Sequence, residues 1–131
     1  NSIPSDYKFF CFKGKPEFLY ICIFDEKTKR NVYCYYNMNW EEINVNIYSI
    51  LTKVSGIEKP KNFEKMKEYC KKIASNVFPE VFVRLDFYLN NNNPVFGEVT
   101  PEPFGGKGYS DEGKKLLNQL CKKHNLKVEN Y

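Results

Sequence analysis

Between Arg84 and Gly106 the chain reads RLDFYLNNNNPVFGEVTPEPFGG, two apolar-alternating runs that each carry one acidic residue. In the first, Val81, Val83, Leu85, Phe87 and Leu89 alternate with Phe82, Arg84, Asp86 and Tyr88 at the two-residue period of a β-strand, so Arg84 and Asp86 share a face. The Asn90 to Pro94 tract predicts a reversal. Val95 to Thr100 then returns antiparallel, with Phe96, Glu98 and Thr100 on one face and Glu98 opposite Asp86. Cross-strand carboxylates lie about 4.5–5.5 Å apart at Cβ and repel unless neutralised. A divalent cation is the simplest neutralising agent, because Mg²⁺ takes one or two carboxylates together with phosphate and water oxygens. Arg84 can hold a phosphate oxygen beside it. A solvated sheet face with an Arg–Asp pair accounts for the same spacing, and spacing alone leaves both readings open.

The tail Thr100 to Gly108, TPEPFGGKG, follows the second strand at once. Glycine-rich loops expose backbone N–H groups that cradle anions, although Pro/Gly clusters are more often plain loops.

Around these runs the pattern predicts an α+β domain: an antiparallel sheet of about five strands with two main helices on one side. Tyr7 to Phe12 and Glu17 to Phe24 flank Lys13-Gly14-Lys15-Pro16 as a hairpin, and Asn31 to Tyr36 adds a third strand. Asn37 to Gly56 lacks one clear period and is expected to wrap over the sheet. Asn62 reads as the N-cap of a helix carrying Phe63, Met66, Tyr69, Cys70 and Ile73 on one face, ended by Asn76 and Pro79. Ser110 caps a last helix through about His124, with Leu116, Leu117, Leu120 and Cys121 inward. The face away from the helices is expected to be solvated or covered by further sequence.

A length of 131 residues suits one domain. The 20 basic and 16 acidic residues give a scattered +4, which suits an anionic substrate and does not demand nucleic acid. Cys11, Cys22, Cys34, Cys70 and Cys121 lack CxxC spacing and a neighbouring His, which reads as reduced, buried thiols and a cytoplasmic setting. The longest apolar run, Phe18 to Phe24, is far too short to span a membrane. His124 stands alone and reads as a surface residue.

Ser5 to Phe12 (SDYKFFCF), Gly14-Lys15-Pro16, Lys59 to Met66 (KPKNFEKM) and the Arg84 to Gly106 stretch occur in an order that resembles the C-terminal half of the TupA-type ATP-grasp family. The resemblance covers nearly the whole chain. It implies a domain, residues 1–131, that forms the C-terminal part of an ATP-grasp enzyme whose nucleotide-gripping part precedes Asn1. The implied reaction is ATP-dependent ligation of a carboxylate to an amine through an acylphosphate, with ATP and Mg²⁺ as cofactors, in synthesis of a cell-surface polysaccharide or teichuronopeptide-type polymer. The acceptor would be a small molecule, glycan or peptide. Carried over by position, Asp86 and Glu98 match the metal ligands, and Thr100 stands where many members have a ligating Asn. Arg84 and Lys8 match the catalytic contacts to phosphate, and Arg30 is a further nucleotide contact.

Two other classes remain. One is a non-catalytic module, derived from the same fold, that binds a sugar or anionic polymer. The other is a single-stranded nucleic-acid binder using the many aromatics, whose binding would weaken steeply with salt.

Overall fold

The computed structural model describes residues 4–48, 52–101 and 108–127. Two tight reversals set the sheet. Lys13 and Gly14 both adopt positive φ, 53° and 80°, and join β1 (Pro4–Phe12) to β2 (Lys15–Asp25). Asn91 and Asn92, at 50° and 66°, likewise join β4 (Phe82–Asn90) to β5 (Asn93–Thr100). Paired positive φ values match the right-handed twist of the flanking strands, and Gly and Asn tolerate them best. With β3 (Arg30–Asn37), the strands form one antiparallel sheet in the order β3-β2-β1-β4-β5, so β1 is central.

Alternation along the strands builds two cores. Tyr7, Phe9, Cys11, Leu19, Ile21, Leu85 and Phe87 face α1 (Phe63–Val77), which contributes Phe63, Met66, Cys70 and Ala74. Phe10, Phe12, Phe18, Tyr20 and Tyr35 face the other way, where Leu117 and Cys121 of α2 (Asp111–Lys123) join Ile47, Tyr48 and Tyr109. The two helices therefore cover opposite faces of the sheet, whereas the sequence suggested a shared one. The cause is legible in β1, whose consecutive buried residues Phe9, Phe10, Cys11 and Phe12 must be sheltered on both sides.

The irregular segment after β3 pairs along that strand's free edge and, as expected, also packs over the sheet, with Ile47 and Tyr48 against Phe10 and Tyr20. Ile43 donates to the Tyr35 carbonyl at 2.9 Å, and Val54 donates to that of Tyr33 at 2.7 Å. This satisfies backbone groups that an open edge would leave for another chain to pair with.

Ser110 caps α2 as its residue type predicts, accepting from the Gly113 N–H at 2.9 Å. Asn62 occupies the N-cap position of α1, but its side chain makes no capping bond and instead donates to the Asn92 carbonyl in the β4–β5 turn. Tyr69 is exposed rather than inward. All five cysteines are buried and unbridged. No helix among the described residues is long and apolar enough to cross a membrane.

Candidate active site

The site is assembled by register. Lys8 on β1 pairs with Asp86 on β4, Phe10 with Arg84, Asp86 with Glu98 on β5, and Arg84 with Thr100. Pairing conserves the face on which a side chain emerges. Lys8, Arg84, Asp86, Glu98 and Thr100 therefore project from the face that α2 also covers further along.

The expected register of Glu98 opposite Asp86 holds, but Phe96 does not share its face. A β-bulge at Gly97 puts Phe96 opposite Phe87, against which its ring packs edge-on at 5.5 Å, on the α1 side. Such an extra residue flips the alternation of everything before it.

Arg84 and Asp86 are the buried charged residues among those described, 9% and 4% exposed. Arg84 forks onto Asp86, with Nε donating to Oδ1 at 2.8 Å and Nη2 to Oδ2 at 3.0 Å. Nη2 also donates to Thr100 Oγ1, and Nη1 to the Tyr20 hydroxyl, both at 3.2 Å. The Lys8 ammonium donates to Asp86 Oδ2 at 2.8 Å and lies 3.8 Å from Asp6.

Burial pulls the Arg84 guanidinium towards the neutral form, but the Asp86 hydrogen bonds and charge outweigh it, so its pKa rises above its ordinary value. Burial pushes the Tyr20 and Tyr48 hydroxyls far up, keeping both neutral. Arg84 and Lys8 thus supply the neutralisation of Asp86 that sequence reasoning assigned to a divalent cation.

Glu98 is exposed and has no side-chain partner among the described residues. Asp86, Glu98 and Thr100 still present hard oxygens from adjacent strands. No three His, Cys, Asp or Glu side chains converge among the described residues; two carboxylates and a hydroxyl are oxygen donors of the kind Mg²⁺ takes together with phosphate and water oxygens.

Arg30 is not brought to this group. It opens β3, is exposed, and shares the parity of Val32, Cys34 and Tyr36, which face α1. Along β3 it lies five residues from Tyr35, the residue level with Lys8 through Tyr20, a displacement of about 16 Å. Glu102 to Gly106 and Lys107, the centre of the glycine-rich tail, fall outside the described residues.

Sequence reasoning missed Tyr20. Its signal was its parity: Phe18, Tyr20 and Cys22 alternate with Leu19, Ile21 and Ile23 in an unbroken apolar run that has no visible polar face. His124, expected on the surface, has a side chain only 8% exposed; it stacks on Phe12 and pairs with Glu17.

A cavity of about 640 Å³, bounded by Tyr7, Ile23, Val32 and the segment from Val54 to Lys61, lies on the α1 face. It is therefore separated by the sheet from the charged group.

The family model for TupA-like ATPgrasp matches residues 2–121. The chain belongs to the TupA-like ATP-grasp family. Among solved structures it is similar to the D-alanine–D-alanine ligase of Helicobacter pylori, at 18% identity and a TM-score of 0.44 over 91% of this chain and 34% of that one. This member of the TupA-like family thus spans about a third of that ligase's length. No curated protein matches it.

Proposed function

We propose that this chain supplies the metal- and phosphate-binding half of an ATP-dependent carboxylate–amine ligase. The observation that carries this reading is the direct pairing of Asp86 with Glu98 on β4 and β5, within a family match over residues 2–121. Lys8, Arg84 and Thr100 sit on neighbouring register positions of that face.

The charge balance supports it. Asp6, Asp86 and Glu98 set three carboxylates against the two cations Lys8 and Arg84, leaving one local negative charge that favours a cation. Asp86 and Glu98 would hold Mg²⁺, while Thr100 beside them keeps its hydroxyl on Arg84. When bound, Mg²⁺ supplies neutralisation of the polyphosphate and alignment of its terminal oxygens. Lys8 and Arg84 supply the remaining positive charge to the transferred phosphoryl group, from fixed positions on β1 and β4. Such pre-set charge acts mainly by positioning and electrostatics, so no nucleophilic Ser or Cys is needed.

The reaction in this reading transfers the terminal phosphoryl group of ATP to a carboxylate. An amine then attacks the acylphosphate and releases phosphate. The nucleotide-gripping part of the same protein completes the site, and the acceptor is a small molecule, glycan or peptide in cytoplasmic steps of cell-surface polymer synthesis. Acceptor-dependent ADP release by the intact protein tests the assignment. Release that survives both Asp86→Asn and Glu98→Gln unchanged would sink it.

A further inference from the structure

We propose that Tyr20 and Thr100 are positioning residues that hold the Arg84 guanidinium in place when Asp86 turns to a cation, an inference that rests on the reading of Asp86 as a metal ligand. On that reading Asp86 has two roles that conflict, ion-pair partner of Arg84 and Lys8 and ligand of a cation. Its carboxylate is the bidentate partner of Arg84, with bonds at 2.8 and 3.0 Å, and the acceptor of Lys8 at 2.8 Å. A cation taking oxygens of Asp86 draws electron density and lone pairs from those bonds. An arginine held only by that carboxylate would then swing on its flexible stem.

Beyond Asp86, the Arg84 guanidinium has hydroxyl anchors at Nη1 and at the second hydrogen of Nη2. Nη1 donates to the Tyr20 hydroxyl and Nη2 to Thr100 Oγ1, both at 3.2 Å. These acceptors come from β2 and β5, two strands that flank the β1–β4 pair, so they clamp the group from both sides. Both are hydroxyls. A carboxylate in either place would cancel the guanidinium charge, whereas a neutral hydroxyl fixes its geometry and leaves the full positive charge for an incoming anion. Tyr20 cannot easily yield, being 2% exposed and wedged edge-on against Tyr48 at 5.4 Å and beside Phe10 at 5.9 Å. Thr100 Oγ1 is therefore assigned to Arg84 before any metal.

The test observes Arg84 directly. The intact protein is labelled with ¹⁵N-arginine, and Arg84 side-chain N–H signals are identified by their loss in Arg84→Lys. In wild type these slowly exchanging signals should persist when Mg²⁺ and ADP are added. In the Tyr20→Phe/Thr100→Val double variant they should be present without Mg²⁺ and ADP, because Asp86 still holds the group and the fold is intact. They should disappear when Mg²⁺ and ADP are added. Signals that persist in the double variant, that vanish in wild type, or that are already absent from the unliganded double variant would each overturn the proposal. Calorimetric titration of Mg²⁺ and ADP into both proteins separates the two readings. Binding with unchanged Arg84 signals in the double variant defeats the clamp alone, whereas no binding to wild type defeats the metal–nucleotide reading beneath it as well.

Discussion

Lys8 and Asp86 are direct register partners on β1 and β4, and the Lys8 ammonium donates to the Asp86 carboxylate at 2.8 Å. Because Arg84 forks onto the same carboxylate, one buried anion holds two cations from two strands. The pairing ties the centre of the sheet to the site's charge. On the proposed function, stability and chemistry therefore meet at Asp86 and separate at Glu98.

Asp86→Ala should be strongly destabilising. It leaves the Arg84 guanidinium buried without its bidentate partner, a loss that typically costs about 3–5 kcal/mol. Asp86→Asn keeps one acceptor oxygen and should cost less. Urea unfolding of the three proteins checks this, and a midpoint for Asp86→Ala equal to wild type would contradict the central role given to the pair.

Glu98→Gln should behave in the opposite way. Its side chain is exposed and has no partner among the described residues, so its removal should shift stability by no more than about 0.5 kcal/mol. On the proposed function, ADP release should nevertheless fall by about 10²–10³-fold, the scale seen when one preorganised electrostatic contact is lost. Parallel unfolding and rate measurements decide it. A variant that unfolds early, or that turns over like wild type, refutes the division of labour.

The strands, their antiparallel hairpins and the face shared by Arg84, Asp86 and Glu98 were legible because a period of two survives without tertiary information, whereas the β1–β4 pairing that brings Lys8 onto that face was not. What escaped the sequence was set by distant contacts. A single extra residue at Gly97 reversed Phe96, and nothing local distinguishes a bulge from a regular strand glycine. Arg30 lost its place through the unbroken β2–β3 register, which a loop of unknown geometry had hidden. Tyr20 was masked because a strand buried on both faces shows no alternation of polarity. His124 seemed isolated only because its partner Glu17 lies 107 residues away.

Gly113→Ala should destabilise the protein although alanine is the better helix former. Helix propensity favours alanine by about 1 kcal/mol. A Cβ at this position, however, would stand 2.2 Å from the Ile47 carbonyl oxygen. That carbonyl cannot readily retreat, since it accepts from the Ser110 N–H at 2.9 Å. Overpacking of this kind costs about 1–3 kcal/mol, so the net change should be a loss. A melting temperature at or above wild type would show that α2 is free to shift away from Ile47.

The Glu17 cluster should make stability fall in acid. Partial burial works to raise the Glu17 pKa, but hydrogen bonds from Lys123 and His124, with their charges, outweigh it and leave it below its ordinary value of 4.5. The unfolded chain therefore takes up a proton at Glu17 before the folded protein does. The stabilisation is fully present above that ordinary value and is lost as pH falls through the lower folded-state pKa. Lys123 reaches Glu17 at 2.9 Å, and His124 pairs with it while stacked on Phe12, so the cluster fastens the end of α2 to β2. Glu17→Gln should remove this contribution and flatten the decline. Unfolding midpoints for wild type and Glu17→Gln between about pH 6 and pH 3 measure it, the two curves converging at the acid end. Parallel curves with a constant offset would mean that Glu17 packs against α2 without its charge mattering.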